Sequence, residues 1–175
     1  MGSAIAVIDI QRGFVTEESR HVLPRVIELL RHAEAARIPF FFTRFINHPC
    51  SGFVRWVKWN KLMEPPEIEL HPDILCLARF VFDKSGYTSF TEDVKAWIQD
   101  NKVTKLFCCG IATEGCVLKT AVDAFEADIE PIVIHDACAS HAGRTQHEAG
   151  VFVLTRFIGK GQIRSVDEVV RSGFA

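Results

Sequence analysis

The chain has 175 residues, 48% hydrophobic and 24% charged, with a formal net charge of −2 at pH 7. That length predicts one domain over 1–175 with a substantial core. With no basic tract and no apolar run near the roughly 20 residues of a membrane span, neither nucleic acid nor membrane is expected as a partner.

The opening MGSAIAVID lacks the basic segment of a signal peptide and meets Asp9 at once. Ala6 stands where N-myristoylation needs Ser or Thr. Six cysteines without a CxxC pair or framework spacing predict reduced thiols and a cytoplasmic location.

Ala4 to Ile10 (AIAVIDI) is apolar apart from Asp9 and predicts a central strand ending in a carboxylate. A loop with Gly13 and Phe14 follows over Gln11 to Ser19. Val22 to Arg37 has helical period, with Pro24 in its first turn. Pro39 to Phe45 (PFFFTRF) predicts the second strand. Asn47 to Pro66 is irregular, with a short helix expected near Val54 to Leu62. Arg79 to Phe82 predicts a short strand that ends at Asp83-Lys84. Thr91 to Asn101 predicts a helix N-capped by Thr91, with Val94, Trp97 and Ile98 facing inward.

Lys105 to Ala127 carries the strongest local signal. Leu106 to Cys109 predicts a buried strand closed by Gly110. Val117, Leu118, Ala121, Val122 and Phe125 then mark one face of a helix. The turn from Gly110 to Gly115 thus joins strand to helix, with Cys116 in the first helical turn. There, free amides and the helix dipole favour a thiolate and an oxyanion. Ile129 to His135 predicts a fifth strand ending at Asp136, read as a turn or capping residue. A helix over Thr145 to Phe157, a short strand over Gln162 to Arg164 and a helical turn over Val166 to Arg171 complete the chain.

Alternating strands and helices predict an α/β fold with a parallel sheet covered on both faces. The active crevice of such a sheet lies at the strands' carboxyl ends. Asp9, Lys84 and Cys116 all fall there, an acid, a base and a nucleophile on one rim. Phe14, Phe45, Trp56, Trp59, Tyr87 and Phe90 are candidate pocket walls. GIATEGCVL has two glycines of a phosphate-binding loop but Cys-Val where Lys-Ser/Thr is needed.

Three motifs, VIDIQRGF with Asp9, FDKSGYTSF with Lys84 and GIATEGCVLKTAVDA with Cys116, carry a resemblance over nearly the whole chain. It resembles the isochorismatase-like cysteine hydrolases, which include nicotinamidases and N-carbamoylsarcosine amidohydrolase. The resemblance implies a three-layer α/β/α, Rossmann-like fold with a six-stranded parallel sheet. It also implies an Asp9–Lys84–Cys116 triad, a cis Ile111–Ala112 bond, and an oxyanion hole from the amides of Ala112 and Cys116. True isochorismatases of this family lack the Cys, so Cys116 points to a small amide or ureido substrate.

The nicotinamidase metal ligands, an Asp-x-His pair, are replaced by Phe45 and Asn47. His48 and His71 alone are a poor metal site, so no metal and no cofactor are expected. Substrate orientation is then assigned to Arg44, Asn47 and the aromatic wall of Phe14, Phe45, Trp56 and Tyr87. A homo-oligomer, dimer or tetramer, is expected from the family and from the apolar loop Phe53 to Trp59. The alternatives are a catalytically silent interaction protein on the same fold and a metal-dependent nicotinamidase.

Overall fold

Every residue from Ala4 to Ile8 is fully buried, so the first strand has no wet face and must lie inside a sheet covered on both sides. The computed structural model describes residues 2–174. Its strands are β1 (Gly2–Ile8), β2 (Phe40–Phe45), β3 (Val81–Lys84), β4 (Val103–Ile111), β5 (Glu130–Ala139) and β6 (Ile163–Arg164). They form one sheet in the order β3-β2-β1-β4-β5-β6, and every pairing is parallel. The chain builds outward from β1 in one direction, then restarts at β4 on its other side. That reversal opens a crevice at the carboxyl ends of β1 and β4.

The helices are α1 (Leu23–Ala35), α2 (Gly52–Arg55), α3 (Glu92–Asp100), α4 (Leu118–Glu126), α5 (Arg144–Phe157) and α6 (Val166–Arg171). The α1 and α6 helices pack on each other and on β5, as do α4 and α5. Pro24 opens α1, where its missing N–H costs nothing. The Thr91 side chain accepts from the Val94 amide at the start of α3. No helix among the described residues is long and apolar enough to cross a membrane.

Two close approaches set the crevice. Gly110, with φ +125°, lies against β1, and a Cβ there would collide with the Ile8 carbonyl. Gly150 of α5 presses on the turn after β4, where an added Cβ would stand 2.7 Å from the Glu114 nitrogen and 2.8 Å from its Cα.

Several boundaries differ from the expectation. The short helix is α2, over Gly52–Arg55, because Ser51 caps it by accepting from the Val54 amide. A 3-10 turn over Pro72–Leu77 falls where no element is expected. β5 runs on through Asp136 to Ala139. Asp136 is tolerated in the strand because Arg25 of α1 donates to it at 2.7 Å and the Val166 amide of α6 at 2.8 Å. Its capping role is thus real, but it is exercised from within a strand.

Candidate active site

Asp9 follows the last residue of β1 in a left-handed conformation, φ +50°, that turns its side chain into the crevice. Lys84 ends β3, and Thr43 stands on β2. Thr43 Oγ1 donates to Asp9 Oδ1 at 2.7 Å, and Lys84 Nζ stands 2.8 Å from Asp9 Oδ2. Both ionic side chains are essentially sealed from solvent.

Lys84 has three N–H bonds, and three acceptors meet them: Gly86 O at 2.9 Å, Tyr87 O at 3.3 Å and Cys116 Sγ at 3.3 Å. Asp9 Oδ2 is a fourth neighbour of the same nitrogen, in a buried ion pair at 2.8 Å. The three expected catalytic side chains meet at one nitrogen, although they come from sequence positions up to 107 residues apart.

Cys116 is 6% exposed. It lies in a π-helical turn, Thr113–Val117, that leads into α4, and the Ile111–Ala112 peptide before that turn is cis. Burial pushes the Cys116 thiol up and the Asp9 carboxylate raises it further, while Lys84 works against both. The net shift is upward, whereas the helix-terminus argument favours a resting thiolate. For Lys84, burial acts to lower the pKa, but Asp9 and Cys116 together outweigh it and the net shift is upward. The resting pair is thus a neutral thiol beside an ammonium–carboxylate contact.

Above Cys116 lies a cavity of about 460 Å³, its walls mainly aromatic. Phe14 stacks on Trp59 with centroids 5.8 Å apart, and Phe53 meets Phe45 at 4.8 Å and Tyr87 at 4.9 Å. Of the expected wall residues, Phe14, Phe45, Trp59 and Tyr87 line the cavity, and Ala112 and Cys116 form part of its floor. Phe90 does not line it and packs against the core instead.

Arg44, Asn47 and Trp56 do not reach the cavity. Side chains alternate along β2, so Thr43 and Phe45 face the site and Arg44 faces away. There Arg44 donates to both oxygens of Asp83 at 2.8 and 2.9 Å. Asn47 has none of its bonding capacity left. It donates to Trp59 O and Lys61 O and accepts from His48 N and Ser51 Oγ, so it holds the wall loop in shape. Trp56 is 77% exposed with the Arg55 guanidinium 4.9 Å from its ring centre, and Trp59 takes the inward place.

Sequence reasoning missed Glu114, Phe53 and Gln11. Phe53 and Glu114 line the cavity, and Gln11 bonds the Phe45 amide and carbonyl, tying β2 to the Phe14 loop. Glu114 is signalled only by lying two residues before Cys116. His48 is exposed, and His71 accepts from the Asp73 amide to cap the 3-10 turn. Among the described residues no three His, Cys, Asp or Glu side chains are grouped to hold a metal ion.

Known proteins share this framework. The profile of the isochorismatase domain matches residues 3–160. Isochorismatase family protein 2A of Dictyostelium discoideum is 34% identical over 62 residues, which is 34% of this chain and 31% of that protein. Isochorismatase domain-containing protein 2 of Xenopus laevis is 28% identical over 90 residues, covering 51% of this chain and 42% of its own length. Both matches thus span under half of the curated relative. Among solved structures, a cysteine hydrolase from Pseudomonas syringae superposes with a TM-score of 0.85 at 21% identity, covering 98% of this chain and 92% of its own. N-carbamoylsarcosine amidase from Thermoplasma acidophilum gives 0.81 at 19% identity, covering 95% and 98%. Nicotinamidase/pyrazinamidase from Bacillus subtilis gives 0.80 at 20%, covering 94% and 100%. At these identities the structures speak to the fold, and the profile over 3–160 speaks to descent: the chain belongs to the isochorismatase domain family.

Proposed function

We propose that this hydrolase cleaves the C–N bond of a small amide or ureido compound through a thioester on Cys116. The observation that carries the reading is the Lys84 ammonium, which touches both Asp9 Oδ2 and Cys116 Sγ at the floor of an aromatic cavity.

As the thiol attacks the substrate carbonyl carbon, its proton passes to the Asp9 carboxylate, which meets the same Lys84 nitrogen as the sulfur. Lys84 offsets the negative charge, which moves from carboxylate to sulfur and then to the carbonyl oxygen. The Ala112 and Cys116 amides hold that oxygen. Collapse of the tetrahedral adduct expels the amine, which takes the proton back from Asp9. A water then gives a proton to Asp9 and attacks the thioester. The second adduct releases the acid, and Asp9 returns the proton to sulfur. A neutral resting thiol suits this sequence, because proton transfer and attack proceed together rather than from a stored thiolate.

The test is a screen of small amides and ureides for ammonia or amine release, repeated with Cys116→Ala. Turnover by the wild type and background rates in the variant, with an unchanged circular dichroism spectrum, are expected. Wild-type rates in Cys116→Ala would reject Cys116 as nucleophile. Cys108 and Cys109 lie inside β4, fully buried, and their replacement by Ala leaves the chemistry in place.

A further inference from the structure

A general base that serves a sulfur first and a leaving amine next has to stay aimed through the whole cycle. Asp9 is poorly placed to aim itself. It lies one residue past the end of β1, in a left-handed backbone conformation, φ +50°. Two side chains hold its carboxylate: Lys84 at Oδ2, and Thr43 at Oδ1 through a 2.7 Å hydrogen bond. All three residues are buried.

The two holders differ. Lys84 closes β3, the edge strand of the sheet, and its ammonium also donates to Gly86 O, Tyr87 O and Cys116 Sγ. Its pull shifts toward the sulfur as negative charge forms there. Thr43 has no such divided duty. It stands on β2, paired on one side with Ile8 of β1 and on the other with Phe82 of β3, so its backbone is fixed from both sides. Its carbonyl accepts from the Asp9 amide at 3.2 Å, so main chain and side chain grip the same residue. A hydroxyl has one hydrogen to give, and this one goes to Asp9 Oδ1. The strand itself does not need that oxygen, since valine fills the same space and suits a strand as well.

We propose that Thr43 is the positioning residue of the base. Its hydroxyl locks the rotation of the Asp9 carboxylate, so that Oδ2 stays at the Lys84–Cys116 contact both when Asp9 is charged and when it carries the proton. With the proton on Oδ2, Oδ1 is a carbonyl oxygen and still accepts from Thr43. This rests on the C–N hydrolase reading and deepens it. Thr43 does not line the cavity and acts only through Asp9.

Thr43→Ser and Thr43→Val separate aiming from packing. Serine keeps the hydroxyl and loses the methyl, whereas valine keeps the shape and loses the hydroxyl. Ammonia release is followed with the best substrate among benzamide, acetamide and N-carbamoylglycine. Thr43→Ser is expected within about threefold of wild type in kcat, and Thr43→Val about a hundredfold down with KM little changed, as for a misplaced catalytic group. A carboxylate that loses a donor also holds a proton to higher pH. The acid limb of kcat/KM therefore moves up by about one pH unit in Thr43→Val and stays in place in Thr43→Ser. A packing role gives the reverse order, valine above serine, and an unmoved limb; either result overturns the proposal. If Thr43→Val does not fold, Thr43→Ala replaces it throughout: serine well above alanine upholds the hydroxyl, and equal rates overturn it.

A stability cycle keeps the proposal apart from the hydrolase reading. Urea midpoints are read for wild type, Thr43→Val, Asp9→Asn and the double variant. The midpoint loss caused by Thr43→Val is expected to fall by about half in the Asp9→Asn background, since a hydrogen bond to a carboxylate is roughly twice as strong as one to an amide. That coupling, with no turnover of any of the three compounds by wild type, upholds Thr43 as the group that holds Asp9 and counts against the hydrolase reading. An equal loss in both backgrounds overturns the tie whatever the wild type hydrolyses.

Discussion

Lys84 gathers two carbonyls, a sulfur and the Asp9 carboxylate around one nitrogen, sealed from solvent. At the sulfur, burial and Asp9 both hold the proton on. Its pKa is raised above the ordinary thiol value of about 8.5, so the thiolate fraction near neutrality is smaller than that of a free cysteine and grows as pH rises. Cys50 and Cys76 are exposed and Cys116 is not. Iodoacetamide at pH 7.5 is therefore expected to label Cys50 and Cys76 first. The Cys116 rate should climb about tenfold per pH unit through pH 9, as expected below a thiol pKa. Site-resolved mass spectrometry reads this, and preferential labelling of Cys116 at neutral pH would contradict a raised pKa. Asp9, Lys84 and Cys116 are legible in the sequence because each closes or follows an apolar run. Arg44, Asn47 and Trp56 are not correctly placed by sequence, because strand alternation and loop hydrogen bonding decide where they point.

At the scale of elements, the turn that carries Cys116 is a guest of α5. Gly150 brings the helix backbone onto Thr113 and Glu114, too close for a Cβ, since the nearest atoms are main chain and cannot step aside. Thr113 Oγ1 and His147 Nδ1, 2.7 Å apart, add a second tie between the same two segments. Gly150→Ala should force the helix outward and shift the turn. We expect destabilisation of about 1–3 kcal/mol, typical of overpacking, and loss of most activity. Urea midpoints and turnover read the two effects, and an active, equally stable variant would show that the contact yields. Helical period locates α5 from sequence, but period alone cannot show that one of its glycines faces another segment's main chain. The same blindness affects β5. A carboxylate reads as the end of a strand, yet Asp136 sits within one because Arg25, 111 residues earlier, reaches it.

The whole molecule is where sequence reads best, since the apolar runs of β1, β2, β4 and β5, with helical periods between them, leave little freedom for anything but a covered parallel sheet. The surface is less legible. Phe152 is 70% exposed on α5, and Phe157, Phe125, Trp56 and Val57 are also largely open to solvent. Apolar side chains left out in such number point to a contact between copies. A dimer or tetramer is the expected mass in light scattering at micromolar concentration, and a strict monomer would refute it. Gly110 ties the architecture to the chemistry. The two strands it allows to touch are the ones that lead to Asp9 and to the Cys116 turn, so any side chain there acts as a wedge between them. Position 110 should thus have a mutational alphabet of one letter. A library randomised at that codon and selected only for solubility would return the same answer as one selected for catalysis.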